Sequence, residues 1–369
     1  MRKEAAQISD TVFMCSIACL IQASSLLTSF LASITEHDSW MVVLLAAAGS
    51  IPTLFFYRGL ILRFPHHNLM QILEDVWGPI AGKVLGFAYA MFFMTLTGLN
   101  VKDLGDLTKL TMMPDTPGIV LVATCIAVSA YAVRHGLRVV TIYGPLFSAA
   151  ALFITLLSFT LLLNQMDLAN FLPVVDRSLR DIIQGTHVMA AIPMGEIVVF
   201  LMITPNVRPS RQSAVKGLFC GFELGVLTLL LVVLRDIAVL GNTLSVFASP
   251  PLVTARLTNI GTSITRMEIL FAIVLIMLLF FKITFLYYAS VMAIAHVAGV
   301  RTYLRLVLVT GAFIIAYALT LYPSPTERAV TAGRTIPFAW MILETVIPGV
   351  TLLVAKVRKL PKTVKSLAR

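Results

Sequence analysis

Charged residues are scarce in this chain of 369 residues: they make up 12% of it, whereas 58% is hydrophobic. A water-soluble domain carries about 25% charged residues, so the composition excludes an ordinary soluble protein. The mean hydropathy of +0.92 is typical of a protein embedded in a lipid bilayer. The net charge of +10 comes from basic residues between apolar segments, which indicates membrane topology rather than a nucleic-acid site.

Cysteine is also rare, and the common catalytic motifs are missing. Cys15, Cys19, Cys125 and Cys220 lie in apolar runs without CxxC spacing, which excludes a disulfide framework or a cysteine metal site. The sequence has no HExxH or GxSxG pattern. No short apolar region with a cleavage site follows "MRKEAAQISD", so no secretory signal is predicted. We therefore expect a protein that is not an enzyme, without cofactor or metal.

Ten apolar segments are long enough to cross a bilayer, which needs about 20 mostly apolar residues each. We number them as spans 1 to 10. They are predicted at residues 8–34, 40–62, 81–112, 118–133, 139–163, 185–204, 214–234, 267–298, 303–322 and 337–356. The sequence thus predicts an all-α polytopic membrane protein.

The distribution of lysine and arginine predicts the orientation of the spans. The two ends of the chain and the connections after even-numbered spans hold the larger share of the 28 basic residues. Basic connections face the cytoplasm, so both ends are expected there. Ten spans divide into two five-span repeats, at 1–163 and 185–356, with an outer connection at 164–184 and a basic tail at 357–369. A second outer connection, 235–266, is expected to contain short amphipathic helices.

The stretch "THVMAAIPMGEIVVFLMITP", residues 186–205, places Pro193, Gly195 and Glu196 in the middle of span 6. Proline removes a backbone donor, and glycine favours a break in the helix. Freed backbone groups and a carboxylate cannot face hydrocarbon, so they predict a polar cavity at mid-depth. Matching broken helices in inverted repeats are typical of transporters. The alternative is a simple proline kink with Glu196 paired to a neighbouring helix.

Span 1 carries a polar patch where the partner break is expected. The patch contains Gln22, Ala23, Ser24, Ser25 and Thr28. Its small hydroxyl side chains either satisfy freed backbone groups or allow close helix packing. Lys282 in span 8 is predicted to replace a bound cation, although snorkelling to the interface is the alternative. Glu223 in span 7 and Glu344 in span 10 are further acids that could pair with it.

The chain resembles the spore germination permease family, the B subunits of nutrient germinant receptors in the amino acid–polyamine–organocation transporter superfamily. Five motifs carry the resemblance, in order along the chain. They are "ISDTVFM" (8–14), "MPDTPGIV" (113–120), "YAVRHGLRVVTIYGPLF" (131–147), "IPMGEIVVFLMITP" (192–205) and "RLTNIGTSITRMEIL" (256–270). Members often have a Gly-x-Gly break in span 1, where this chain has Ile21, Gln22, Ala23 and Ser24.

This resemblance implies the fold typified by the leucine transporter, a five-plus-five inverted repeat with spans 1 and 6 broken. It also implies a protein of the spore inner membrane that works beside an A subunit and a lipoprotein C subunit. Its ligand would be a small nutrient such as an amino acid, and binding would start germination. A proton-coupled transporter of amino acids is the main alternative, and a channel or scaffold with a vestigial pocket is another.

A zwitterionic ligand would bind at the ends of the half-helices, where free amides suit a carboxylate and freed carbonyls suit an ammonium group. We expect the backbone near Ala23 to Ser25 and near Met194 and Gly195, next to Pro193, to supply these groups, and Ser24, Ser25 and Thr28 to add hydroxyls. Glu196, with Lys282 and Glu223, is expected to couple occupancy to conformation. Side-chain pocket candidates are Tyr89, Phe93, Leu96, Phe200, Tyr287 and Tyr288.

Overall fold

The computed structural model of the chain describes residues 7–208, 210–247, 249–257, 267–321 and 336–361. Within these residues, seven helices are long and apolar enough to cross a membrane, and three shorter apolar helices accompany them. Together they correspond to the ten predicted spans. Residues 248 and 258–266 of the predicted connection, most of the motif at 256–270, and the basic residues Arg2, Lys3, Lys362, Lys365 and Arg369 lie outside the described residues.

The first five spans are joined by short connections, and one extra helix lies between spans 2 and 3. Span 1 consists of Asp10–Gln22, Ala23–Leu27 and Thr28–Thr35; the others are Ser39–Arg63, Pro79–Thr111, Gly118–Arg134, and Leu137–Thr141 with Gly144–Leu161. The extra helix, Leu69–Trp77, was not predicted. Asn68 and Gln71 form a capping box at its start, and Gly78, with φ of 86°, reverses the chain into span 3.

Spans 6 to 10 follow a long connection that contains the 3₁₀ turns Leu163–Gln165 and Leu168–Phe171. Span 6 consists of Leu179–Met189, Ala190–Met194 and Gly195–Met202, and spans 7, 8 and 9 are Arg211–Leu240, Met267–Val297 and Val307–Thr320. Span 10 consists of Ile336–Met341, Ile342–Val346 and Ile347–Val357. Short 3₁₀ turns, Glu36–Asp38, Thr204–Asn206, Gly241–Val246 and Tyr303–Arg305, and the helix Pro250–Leu257 complete the described elements.

Two short strands place the start of span 1 beside the end of span 6. β1, Ile8–Ser9, pairs in parallel with β2, Val207–Arg208. The chain leaves β1 into span 1 but enters β2 from span 6, so the two spans run in opposite directions across the membrane. We call the side of this strand pair the near side and the opposite side the far side. Opposed spans 1 and 6 are what an inverted repeat requires. The residue limits of the two repeats stay a prediction.

Span 6 lies at the centre of the bundle. Its most apolar stretch is 83% buried within the protein, against 39 to 61% for the other long spans. Span 3 packs along span 8, and span 1 packs along span 7. Unusual features of span 6 are therefore shielded from lipid, as the hydrocarbon environment demands.

Three glycines spaced by four residues bring span 7 against span 1. A Cβ atom at Gly217, Gly221 or Gly225 would collide with span 1, at Phe13, at the backbone of Met14 and at Ile21 respectively. Residues four apart share one helix face, and small residues allow the close backbone approach that membrane helices use to associate. This glycine face fixes the rotation of span 7, so that its opposite face points away from span 1.

A buried carboxylate holds the long connection before span 6 to the turn between spans 1 and 2. The oxygens of Asp38 accept backbone N–H groups of Val175, Asp176 and Arg177 at 2.9 to 3.1 Å. His37 contacts the carbonyl of Pro173 at 2.8 Å, and Arg177 pairs with Glu36. These contacts order the far-side connection next to the end of span 1.

Arg235 lies inside span 7 rather than in the connection where it was predicted, because the helix continues to Leu240. Its guanidinium is fully buried and donates to Asp236 at 2.6 and 2.9 Å and to Ser158 of span 5 at 2.8 Å. Thr254, in the helix Pro250–Leu257, donates to the same Asp236 oxygen at 2.8 Å. The Arg235–Asp236 pair thus joins spans 5 and 7 to the helix Pro250–Leu257 on the far side.

Replacing Arg235 by methionine is expected to destabilise the protein by about 3–5 kcal/mol, since Asp236 would stay buried without its counter-ion. The measurement is the thermal unfolding temperature of the purified full-length protein in detergent. Arg256→Met is the control, because Arg256 is exposed, and it should leave that temperature unchanged. Equal unfolding temperatures for both variants would show that the buried pair contributes nothing to stability.

Candidate functional site

The interruption in span 6 is present, and it consists of changed helical turns rather than extended chain. Residues Ala190–Met194 form a π turn that contains Pro193, and Gly195–Met202 continue as 3₁₀ turns. Proline cannot donate to the carbonyl four residues earlier, so the regular α pattern cannot pass through this point. Pro193, Met194, Gly195 and Glu196 are all buried. The prediction of a broken sixth span is confirmed.

Span 1 is also interrupted, although it has no glycine or proline there. Ala23–Leu27 form 3₁₀ turns between two α-helical segments. Thr28 donates to the carbonyl of Ser25 at 2.7 Å, and Ser24 contacts that of Leu20 at 3.4 Å. Gln22 donates to Thr228 of span 7 at 3.0 Å. Hydroxyl groups therefore compensate the backbone here, which was one of the two interpretations of the polar patch.

A buried ion pair connects the two interruptions through span 8. Lys282 Nζ lies 2.6 Å from Glu196 Oε2, and both side chains are 1% exposed. The same ammonium donates to Ser24 Oγ at 2.8 Å. Lys282 therefore does not snorkel to the interface. One cation holds spans 1, 6 and 8 together at the level of both breaks, where low dielectric strengthens the attraction but raises the cost of losing either partner.

The structure does not bring Glu223 to this ion pair. Glu223 is exposed on span 7, and the only acid that the described residues place within hydrogen-bond distance of Lys282 is Glu196. The glycine face of span 7 explains this placement. Glu223 is two residues from both Gly221 and Gly225, which turns it roughly 200° away from the face that meets span 1. The four-residue spacing of these glycines in the sequence could have indicated that Glu223 faces away from span 1 and is not a partner of Lys282.

Span 10 contributes a third interruption, which was not predicted. Ile342–Val346 form a π turn, and Pro348 removes the donor that would otherwise reach the carbonyl of Glu344. Tyr57 of span 2 donates to that carbonyl at 2.6 Å, and Tyr89 of span 3 donates to the carbonyl of Leu343 at 2.5 Å. The sequence signal was a glutamate followed by proline and glycine, the same three residue types as in span 6.

The carboxylate of Glu344 lies directly against the break of span 6. A Cβ atom at Gly195 would overlap its Oε2 and Cδ atoms, so a larger residue at that position would have to displace the carboxyl group. Glu344 is fully buried and lies within electrostatic range of both Glu196 and Lys282. Neither carboxylate oxygen has a hydrogen-bond partner among the described residues. The site thus contains a second carboxyl group, which has no direct partner among the described residues.

The pocket candidates divide among three locations. Phe200 stacks on Phe285 with ring centroids 4.5 Å apart and meets Phe13 edge-on at 5.7 Å, so it packs between spans 1, 6 and 8. Tyr89 lies beside Phe93 and reaches span 10. Tyr287 instead donates to the carbonyl of Val307 and packs on Gly311 of span 9, and its neighbour Tyr288 contacts Tyr303. Leu96 is buried in span 3.

The cavities beside the breaks are small. One of about 10 Å³ is bordered by Ser50, Met194, Gly195 and Thr345, and Ser50 Oγ lies 3.7 Å from the sulfur of Met194. Another of about 20 Å³ is bordered by Gln22, Ser25, Thr228 and Phe271, among others. Spaces of this size hold about one water molecule. The conformation described is therefore closed around the breaks.

Comparisons with known proteins decide the family. The profile of the spore germination protein family matches residues 7–327. The chain belongs to this family. Spore germination protein KB of Bacillus subtilis (strain 168) is 24% identical over 312 residues, which cover 83% of each chain. Spore germination protein A2 of the same organism is 24% identical over 208 residues, 55% of this chain and 54% of that protein.

Solved structures of transporters are similar in fold to this chain. Mhp1, a nucleobase-cation-symport-1 family transporter with bromovinylhydantoin bound in a closed conformation, aligns with a TM-score of 0.74 at 13% identity. The alignment covers all of this chain and 82% of Mhp1. MhsT in complex with L-phenylalanine aligns with a TM-score of 0.62 at 12% identity, covering 94% and 97%. The predicted leucine-transporter-like fold of an integral membrane protein is confirmed.

Proposed function

We propose that this chain is the nutrient-binding membrane subunit of a spore germinant receptor, and that its ligand is an amino acid. The single observation that carries the proposal is the buried Lys282–Glu196–Ser24 contact at the two interrupted spans. Buried ion pairs in a membrane are costly and mark functional positions. Membership of the spore germination protein family supports the same role.

The ligand would bind between the breaks of spans 1 and 6. Freed backbone near Ala23 to Ser25 and near Pro193 to Gly195 offers amides and carbonyls to its charged ends. Ser25 and Thr28 add hydroxyls, and Phe200 adds an apolar wall. Because the cavities are too small for an amino acid, the ligand must favour a more open conformation by binding it more tightly.

In this proposal the opening motion of a transporter serves as a signal. A changed arrangement of spans 1, 6 and 8 would alter the surfaces offered to an A subunit and a lipoprotein C subunit. The near side would be cytoplasmic, with both ends of the chain there, and the membrane would be the inner membrane of the spore. The basic residues after even-numbered spans support this orientation.

A proton-coupled transporter of amino acids is the second candidate, and the fold likeness to transporters favours it. An uptake assay in vesicles that contain only this chain separates the two. Saturable accumulation of a radiolabelled amino acid would support transport. Binding of the same amino acid without accumulation would support the receptor.

Glu196→Gln is expected to abolish amino acid binding, because it removes the negative charge that holds Lys282 at the breaks. The measurement is the thermal shift of the purified protein across a panel of amino acids and sugars, since a ligand that binds only the folded state raises its stability. At least one amino acid should stabilise the wild type in a saturable manner and leave Glu196→Gln unshifted.

Glu223→Gln is the matched control, since it changes an exposed glutamate in a membrane span. It should show the wild-type dose curve. An unchanged dose curve for Glu196→Gln as well would make Glu196 a structural residue and remove the central support for the proposal.

A further inference from the structure

The carboxylate of Glu344 stands out among the buried polar groups of the protein. It is fully buried in span 10, and neither oxygen has a hydrogen-bond partner among the described residues. The hydroxyls of Tyr57 and Tyr89 reach the backbone carbonyls of Glu344 and Leu343 rather than the carboxylate. An ionised carboxylate without a partner at this depth is unfavourable by several kcal/mol, so the group takes up either a proton or a cationic hydrogen-bond donor from outside the chain.

Two carboxyl groups at the breaks lie near a single cation. Glu196 and Glu344 lie within electrostatic range of each other and share Lys282 as their positive neighbour. That ammonium is already held by Glu196 at 2.6 Å and by Ser24 at 2.8 Å. Lys282 is therefore committed to Glu196 and Ser24, and the carboxyl group of Glu344 is left without a direct partner among the described residues.

The position of Glu344 places its carboxyl group beside the proposed ligand site. Its carboxylate occupies the space that a side chain at residue 195 would fill, so it borders the freed backbone of span 6. A cavity of about 10 Å³ begins at the same glycine and at Thr345, the residue next to Glu344. The carbonyl oxygen of Gly195 is a further acceptor beside this carboxyl group, and the hydroxyl of Tyr57 lies 3.5 Å from it.

We propose that Glu344 anchors the cationic nitrogen of the ligand, so that the site takes small molecules with a primary ammonium group. The inference rests on the proposed function and adds the chemical class of the ligand. A charge-assisted hydrogen bond to the ammonium satisfies the carboxylate. The acid end of an amino acid then lies toward the break of span 1. Sugars and simple carboxylic acids lack the group that Glu344 requires.

Matched ligands test the proposal on the purified full-length protein. Glycine, leucine and phenylalanine are each compared with the carboxylic acid that lacks the amino group and with the amine that lacks the carboxylate. Dissociation constants come from thermal-shift titrations of wild type and Glu344→Gln. The wild type should bind an amino acid at least about 10-fold more tightly than its deaminated acid, the scale of one hydrogen bond to a charged group.

Glu344→Gln should lose that preference. Its affinity for the amino acid should fall by about 10- to 100-fold, while its affinity for the deaminated acid is unchanged or improved. Glu344→Asp, which keeps the charge, should retain part of the preference even if its shorter side chain weakens binding. Glu223→Gln serves as the control with wild-type constants, and unfolding temperatures without ligand show that each variant is folded.

Three results would overturn the proposal, and each has a different meaning. If Glu344→Gln keeps the wild-type preference, or moves only the pH dependence of binding, Glu344 does not anchor the ammonium. If affinities for the amino acid and its deaminated acid fall equally, Glu344 acts on structure alone. If the wild type binds none of these probes, the proposed function fails and this inference fails with it.

Discussion

Lys282→Met is expected to abolish amino acid binding and to lower the stability of the folded protein by about 3–5 kcal/mol. The substitution keeps most of the side-chain volume but leaves Glu196 fully buried without its counter-ion. It also frees Ser24 from the ammonium, so spans 1, 6 and 8 lose their common contact. The measurements are the thermal unfolding temperature and the ligand-induced shift of the purified variant.

Lys216→Met is the matched control, because Lys216 is exposed near the start of span 7. It should behave as wild type in both measurements. A Lys282→Met variant that keeps wild-type stability and binding would show that the lysine is neither a counter-ion nor a substitute for a bound cation.

Gly195→Ala should have the second largest effect, although it adds a single methyl group. That group would overlap the carboxylate of Glu344 and lie 3.1 Å from the carbonyl of Ala190. Overpacking of a well-filled interior costs about 1–3 kcal/mol, and here it also displaces an acid from the proposed ligand site. We expect a lower unfolding temperature and an amino acid affinity reduced by about 10-fold or more, since 1.4 kcal/mol corresponds to a factor of ten.

Two comparisons separate this steric effect from a general effect of alanine. Gly49→Ala in span 2 adds the same methyl group where nothing lies within 4 Å, so its unfolding temperature should not fall. Glu344→Ala in the Gly195→Ala background removes the overlapping carboxylate and should recover part of the lost stability. No recovery in the double variant would mean that the collision with Glu344 is not the cause.

The spans were predictable because hydrocarbon imposes a length and a composition on any segment that crosses it. The break in span 6 was predictable for a related reason, since Pro193 and Glu196 are tolerated at mid-depth only beside protein or water. The break in span 1 was harder, because hydroxyl residues rather than glycine compensate its backbone. Its prediction came partly from the expected symmetry with span 6.

The partner of Lys282 could not be chosen from the sequence, because pairing depends on how each helix is rotated about its own axis. Glu196, Glu223 and Glu344 were all acids within spans, yet packing turned Glu223 outward and placed Glu344 against Gly195. Arg235 was misplaced for a simpler reason. A charged pair was taken as the end of the hydrophobic segment, whereas Asp236 and Ser158 allow it to be buried inside the helix.

The claim on which this account depends is that the Lys282–Glu196 pair exists for ligand binding rather than for stability. Replacing both residues together, as Lys282→Met with Glu196→Leu, tests it most directly, because buried ion pairs can often be exchanged for apolar residues without loss of stability. We expect the double variant to unfold at or above the wild-type temperature and to show no thermal shift with any amino acid that stabilises the wild type. A double variant that binds the same amino acid with wild-type affinity would contradict the account.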